Sequence, residues 1–328
     1  MQSMTRRAAM SMLPLAALGP LSAPALAQAN DGWPHRPVRI VIPFIPGGPT
    51  DVSARLVAER LRERLGQPFI IDNRPGAGGM VGAQAVAQAA PDGLTFLYTS
   101  SSVAIGPSLH PEQGFEPLRD LTPVSLVTDV ATTLVVRPDA SLRSIAALIT
   151  RAKAAPGTIS YGTSGVGSSN HLTAALLAFM AGIEMLHVPF RGTAQATASL
   201  FAGDIDLVVA STAETLAHYR EGKVRVLGVA TAARIPEMPD VPAIGETVPG
   251  YVAPNWFALF GPRGLPASIV ARMEAELAAI GRLPAIQAQF ATLGIAPRMS
   301  TAAEMRTRMA EDVPAWRRVI AQANIRAE

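Results

Sequence analysis

The chain has 328 residues, 49% hydrophobic and 16% charged, a balance that suits one large or two medium packed domains and excludes a disordered chain. Its formal net charge is +3, with Arg6 and Arg7 near the start and no Lys/Arg-rich run elsewhere, so there is no basic stripe for a nucleic acid. It contains no cysteine, which excludes disulfides and thiolate metal sites.

Arg6 and Arg7 are followed by an apolar run from Ala8 to Leu26, and Ala25-Leu26-Ala27 has the small-x-small form of a signal peptidase site. Pro14, Pro20 and Pro24 argue against one long helix there. The expectation is a signal peptide over residues 1–27, export to the periplasm, and a mature chain starting near Gln28. Thr5-Arg6-Arg7 is only a faint twin-arginine signal. No later stretch carries the ~18 apolar residues of a membrane helix.

Short apolar strands then alternate with amphipathic helices, as in α/β proteins with largely parallel sheets. Val38 to Phe44 reads as a buried strand ending in a glycine–proline turn. Asp51 to Leu65 reads as a helix, with Val52, Leu56, Leu61 and Leu65 near helical spacing and Gly66 as its stop. Phe69 to Asp72 and Thr95 to Thr99 read as strands, with a helix over Val81 to Ala90 between them. The polar cluster Ser100-Ser101-Ser102 follows.

The middle of the chain repeats this grammar. Strands are expected at Thr133 to Val136, Ile159 to Tyr161, Met185 to Val188, Leu207 to Val209 and Val224 to Val229. Helices are expected at Ser144 to Ala154 and Asn170 to Ala181. The last third reads as helical over Ala267 to Ile280, Ala285 to Leu293 and Ala302 to Ala323. One strand–glycine turn–helix unit near residue 47 and another near 164 suggest two similar α/β lobes.

Those two turns are the chemical candidates. In Pro46-Gly47-Gly48-Pro49-Thr50-Asp51 a strand gives way to a helix. The first amides of that helix lack internal acceptors, and its dipole is positive there, so the end attracts a carboxylate or phosphate. Thr50 or Asp51 could equally cap those donors and leave no ligand site. Thr163 to His171 offers Thr163, Ser164, Ser168, Ser169 and Asn170 around two glycines, as hydrogen-bond donors without an evident base. Arg191, in Pro189-Phe190-Arg191-Gly192-Thr193, is a candidate clamp for a distal carboxylate or simply a solvated arginine.

Catalytic templates fail. Val166 stands where G-x-S-x-G needs glycine. There is no G-x-x-x-x-G-K-[ST] and no H-E-x-x-H, Gly76-Ala77-Gly78-Gly79-Met80-Val81 lacks the last glycine of the dinucleotide fingerprint, and the five histidines are scattered. Ser164 and His171 leave a secreted Ser–His hydrolase as an alternative without an acid partner or an oxyanion motif.

Over Trp33 to Trp316 the chain resembles the substrate-binding proteins of tripartite tricarboxylate transporters, also called Bug proteins. The resemblance rests on an ordered set of motifs. These are Trp33-Pro34-x-x-Pro37, Val41-x-Pro43-Phe44-x-Pro46-Gly47-Gly48-x-x-Asp51, Leu65-Gly66-Gln67-Pro68, Asn73-Arg74-Pro75-Gly76-Ala77-Gly78-Gly79 and Ala90-Pro91-Asp92-Gly93. Tyr161-Gly162-Thr163-Ser164-Gly165-x-Gly167-Ser168-Ser169-x-His171-Leu172, His187-Val188-Pro189-Phe190-x-Gly192, Pro239-Asp240-Val241-Pro242 and Trp256-x-x-Leu259-Phe260 follow.

The resemblance implies an α/β, two-lobed type II periplasmic-binding-protein fold, each lobe a mostly parallel sheet flanked by helices, with the ligand cleft between. Lobe 1 is expected at 31–129 plus 231–328 and lobe 2 at 130–230. It further implies a periplasmic solute-binding protein that captures a small organic acid for membrane permease subunits. No cofactor, no metal, no nucleic acid and no reaction are expected, and the protein is expected to be a monomer. A ligand-binding partner of a membrane sensor is the alternative role.

The carboxylate is expected between the two loops, nearest Gly47, Gly48, Thr50, Asp51, Thr163, Ser164, Gly167 and Ser168. Ser101, Ser102, Phe190, Ala210 and Ser211 are expected along the rest of the pocket. Three positions depart from the family pattern. Ala210 and Ser211 stand where an aspartate and an asparagine are common, Arg191 where lysine is usual, and Pro49 where a small residue is common.

Overall fold

The computed structural model describes residues 32–326, and the expected signal segment, 1–27, lies outside them. In chain order the elements begin with β1 (Val38–Ile42), α1 (Pro49–Leu65), β2 (Phe69–Asn73), α2 (Met80–Ala87), β3 (Thr95–Ser100), α3 (Ser102–Leu109), α4 (Pro117–Asp120) and β4 (Leu121–Val130). Next come β5 (Thr132–Val136), α5 (Ile145–Ala154), β6 (Ser160–Thr163), α6 (Ser169–Ala181), β7 (Leu186–Pro189), α7 (Thr193–Ala202), β8 (Leu207–Ser211), α8 (Thr212–Arg220) and β9 (Arg225–Val229). The chain closes with β10 (Asn255–Pro262), α9 (Ala267–Gly281), α10 (Pro284–Thr292) and α11 (Ala302–Gln322).

The strands form two five-stranded sheets, ordered β2-β1-β3-β10-β4 and β7-β6-β8-β5-β9. In each sheet only the fourth strand runs against its neighbours: β10 pairs antiparallel with β3 and β4, and β5 with β8 and β9. These are also the strands that begin after the chain passes between sheets, through Ala131 before β5 and through 230–254 before β10. At each passage the chain therefore enters a sheet with a strand laid between two others. The central strands are covered on both faces: every residue of β3, β8 and β10 is buried, as expected of strands roofed by helices on both sides.

One apolar core holds the first sheet against α1, α9 and α10 through Ile40, Leu61, Tyr98, Leu277 and Phe290. A second runs through both lobes, joining Val103 and Leu109 of α3 and Trp316 of α11 to Leu172 of α6 and Leu134 of β5. A third covers the other face of the second sheet.

Six elements were not anticipated as such: α3, α4, α7, α8, β4 and β10. Pro107 within α3 and the small polar residues of α7 and α8 blunt the helical apolar period. Pro123 interrupts the strand pattern of β4.

The lobes meet across the cleft. A Cβ added to Gly78 would lie 3.0 Å from the Val166 carbonyl oxygen, and one added to Gly192 would lie 2.6 Å from Ile45 Cδ1. The loop after β2 thus touches the loop after β6, and the loop after β1 touches the loop after β7.

Candidate functional site

Between the lobes lies a cavity with about 570 Å³ of atom-free space, part of it open to solvent. Its walls are built largely from helix beginnings. Gly48, Pro49 and Thr50 bring the start of α1 from lobe 1. Ser168 and Asn170 bring the start of α6, Gly192 and Thr193 that of α7, and Ser211 and Glu214 that of α8, all from lobe 2. Such ends present unpaired amides and positive partial charge.

The start of α1 carries no side-chain cap. Gly48 is its N-cap, in extended conformation and with no side chain to offer, and Pro49 fills the first helical position. Neither Thr50 nor Asp51 acts as the cap. The Asp51 carboxylate instead accepts the Gly47 amide at 3.0 Å, the Arg55 guanidinium at 2.8 and 3.0 Å, and the Asn73 side-chain amide at 2.9 Å. Burial pushes this carboxyl up, but the Arg55, Gly47 and Asn73 hydrogen bonds outweigh it and hold Asp51 below its ordinary value. Gly47 turns at φ +83°, in the left-handed region that favours glycine. The amides of Gly48, Thr50 and Asp51 are left without protein acceptors.

The opposite loop is rigid by another route. Ser168 caps α6, accepting the His171 amide at 3.2 Å and donating to the Gly165 carbonyl at 2.7 Å. Thr163 Oγ1 accepts the Gly165 amide at 3.2 Å and pairs with His187 Nε2 at 2.7 Å. His171 Nδ1 accepts the Gly167 amide at 3.3 Å. Burial first, and the neighbouring His187 second, lower the His171 pKa to about 3, and burial lowers that of His187 to about 4. Both rings are therefore neutral acceptors and packing surfaces near neutral pH.

Of the sequence-predicted residues, Gly48, Thr50, Ser164, Ser168 and Ser211 line the cavity. Gly47, Asp51, Thr163 and Gly167 stand behind them and fix the two loops. Ser101 is turned away and donates to Asn255 Oδ1 at 2.9 Å, while Ser102 Oγ accepts from Ser100 Oγ at 3.0 Å. It is Ser100 that reaches the cavity. Ala210 and Phe190 pack into the apolar cluster of lobe 2. Ser164 and His171 are not brought together: Ser164 lines the cleft, whereas His171 faces a separate surface depression with His187 and Asn324.

Arg191 stands at the cavity rim, exposed and in no salt bridge among the described residues. Phe44, Asn255, Phe257 and Glu214 are lining residues that the sequence reading missed. For Glu214 a signal existed: Ser211-x-x-Glu214 has the capping-box spacing. Among the described residues no group of three acidic, cysteine or histidine side chains is arranged to hold a metal, and no helix is long and apolar enough to cross a membrane.

The chain is similar to several known proteins. It is 35% identical over 321 residues to the protein BugT of Bordetella pertussis, covering 97% of each chain. A protein of R. palustris solved with adipate superposes with a TM-score of 0.84 at 34% identity, over 90% of this chain and 99% of that one. MatC from Rhodopseudomonas palustris with bound malate superposes with a TM-score of 0.82 at 31% identity, over 88% of this chain and 100% of that one. Residues 53–325 match the description "Tripartite tricarboxylate transporter family receptor". The two lobes and the cleft between them agree with that match: the chain belongs to the TctC family of tripartite tricarboxylate transporter receptors, solute-binding proteins and not enzymes.

Proposed function

We propose that this receptor captures a small organic acid in the cleft, in the periplasm, and presents it to the permease subunits of a tripartite transporter. The observation that carries this reading is the convergence of four helix N-termini on one cavity, two of them, at Gly48 and Gly192, without a side-chain cap. Their free amides and dipoles favour an anion. The similarity to adipate- and malate-bound proteins makes a carboxylate the natural anion.

In this reading the carboxylate accepts from the amides of Gly48, Thr50 and Asp51, and faces Ser164 and Ser168 across the cleft. Gly47, Thr163 and Gly167 hold the loops in place. The lobes turn about the two crossings, at Ala131 and at 230–254, and the closed form is what the permease meets. Residues 1–27 direct export.

The test is Gly48→Leu. Gly48 has φ −74°, and a Cβ there meets only the Ile45 carbonyl oxygen at 3.8 Å, so the backbone tolerates a side chain that fills the anion site. In a thermal-shift panel of mono-, di- and tricarboxylates, a bound acid at ~100 times its Kd adds about 2.7 kcal/mol to the wild-type chain. The leucine variant keeps its ligand-free Tm and loses the shift. A variant that binds as the wild type does would overturn the placement. A wild-type chain that no acid shifts, even after refolding, would overturn the carboxylate.

A further inference from the structure

Glu214 is the one acidic side chain lining the cavity among the described residues. Its Oε2 accepts the Ser211 amide at 3.0 Å and the Ser211 hydroxyl at 2.9 Å, and Thr193 lines the same wall of the cavity. Thr193 Oγ1 in turn accepts from Asn170 Nδ2 at 3.3 Å. Two polar pairs, Asn170 with Thr193 and Ser211 with Glu214, therefore set the first turns of α6, α7 and α8 side by side along one wall.

Both Ser211 groups are donors, and among the described residues Glu214 makes no salt bridge, Arg191 being the one basic side chain on the same cavity. Helix capping alone does not require this location. Thr301 and Glu304 build the same capping box at the start of α11, on the exposed surface. There hydrogen bonds from the Thr301 amide and hydroxyl lower the Glu304 pKa. At Glu214 burial raises it.

A carboxylate offers acceptors only. Facing a cavity that otherwise gathers positive helix ends, it repels a second ligand carboxylate placed beside it and is satisfied by a ligand hydroxyl or ammonium. We propose that Glu214 sets the specificity of this cleft, selecting organic acids that carry a hydrogen-bond donor on the side facing α8 over acids that carry none there. This rests on the carboxylate reading above and narrows it.

Three ligand trios that differ only at C2 in hydrogen, hydroxyl or ammonium test it: propionate, lactate and alanine; succinate, malate and aspartate; phenylacetate, mandelate and phenylglycine. Calorimetric titration of the exported chain should show, in any trio that binds, a donor-bearing member at least about tenfold tighter than the plain acid, as expected for a hydrogen bond to a charged group. The hydroxyl and ammonium arms separate the two kinds of donor. Glu214→Gln keeps the size and an acceptor for the Ser211 amide, and should bring that ratio close to one, with circular dichroism and Tm reporting its fold.

Equal affinity within every binding trio in the wild-type chain overturns the proposal without any variant. An unchanged ratio in a folded Glu214→Gln also overturns it. Both outcomes leave the carboxylate reading standing, because acids still bind. Absence of binding by every acid, in the trios and in the mono-, di- and tricarboxylate panel alike, overturns both.

Discussion

The rings of His171 and His187 stack with their centroids 4.1 Å apart and their planes 10° from parallel, and each holds one end of the Thr163–Ser168 loop. His187 Nε2 meets the Thr163 hydroxyl and His171 Nδ1 accepts the Gly167 amide. A cleft loop with no charged residue of its own is thus braced by two neutral imidazoles.

The brace has a pH cost. The folded pKa values of about 3 for His171 and about 4 for His187 lie below the ordinary 6.5. Between those limits the unfolded chain binds more protons, so stability is complete above the unfolded value and falls as pH drops below it. The limiting slope is about 1.4 kcal/mol per pH unit per histidine. The lowered Asp51 pKa adds a loss only below its ordinary 3.8, and the raised Glu214 pKa acts in the opposite sense above its ordinary 4.5. Urea midpoints should therefore decline from pH 6.5 to 4.5. His187→Phe, which keeps a stacking ring, should flatten the decline. A flat wild-type profile would contradict neutral, buried rings.

Closure depends on glycine at position 78. Gly78 has φ +61°, and an added Cβ would stand 3.0 Å from the Val166 carbonyl across the cleft. Gly78→Ala should weaken ligand binding by about tenfold or more, since the misfit falls on the closed state alone. It should also keep the ligand-bound radius of gyration in X-ray scattering near the ligand-free value. Gly66→Ala is the control: φ is +72° but nothing lies within 4 Å of the added Cβ. It should carry the same left-handed strain, about 1–2 kcal/mol, and leave affinity unchanged.

Asp51 anchors the first loop through four side-chain and backbone donors. Asp51→Ala leaves the Gly47 amide and the Asn73 side chain without their acceptor and Arg55 without its partner. It should cost about 2–3 kcal/mol in urea unfolding, and it should lower affinity for any acid that binds. Unchanged affinity would show that the loop holds its shape without the carboxylate.

Trp256 Nε1 donates to Asp312 Oδ2 at 2.7 Å, a buried bond joining β10 to α11 that Arg308 Nε also reaches at 2.9 Å. Neither Trp256 nor Asp312 lines the cleft. Asp312→Ala should destabilise by about 2 kcal/mol through the orphaned indole, with no effect on ligand affinity. An affinity loss would mean that α11 takes part in closure.

Two expected residues that do not line the cavity, Ser101 and Ala210, each stand one position from a residue that does. Side chains along a strand alternate between faces, so a shift by one moves a residue to the other side. At the end of β3, Ser100 faces the cleft while Ser101 is fixed to Asn255. At the end of β8, Ser211 faces the cleft while Ala210 packs into the core of lobe 2. Composition identified the right clusters of small polar residues. Which member of each pair turns inward follows from pairing with strands distant in sequence: β10 beside β3, and β5 beside β8.

The sequence by itself determined the local rules: apolar strands broken by glycine turns, helices read from Asp51 and from Asn170, within two residues of their starts, and the ordered motifs that mark the family. Those follow from backbone preference and short-range spacing, which neighbouring residues carry. Only the tertiary structure decided that four helix beginnings meet in one cavity, that Asp51 is committed to its loop, and that Glu214 lines that cavity. Each of these depends on contacts between segments separated along the chain, such as Asn73 at the end of β2 with Asp51. Burial and the pKa shifts it causes arise only once those segments are packed together.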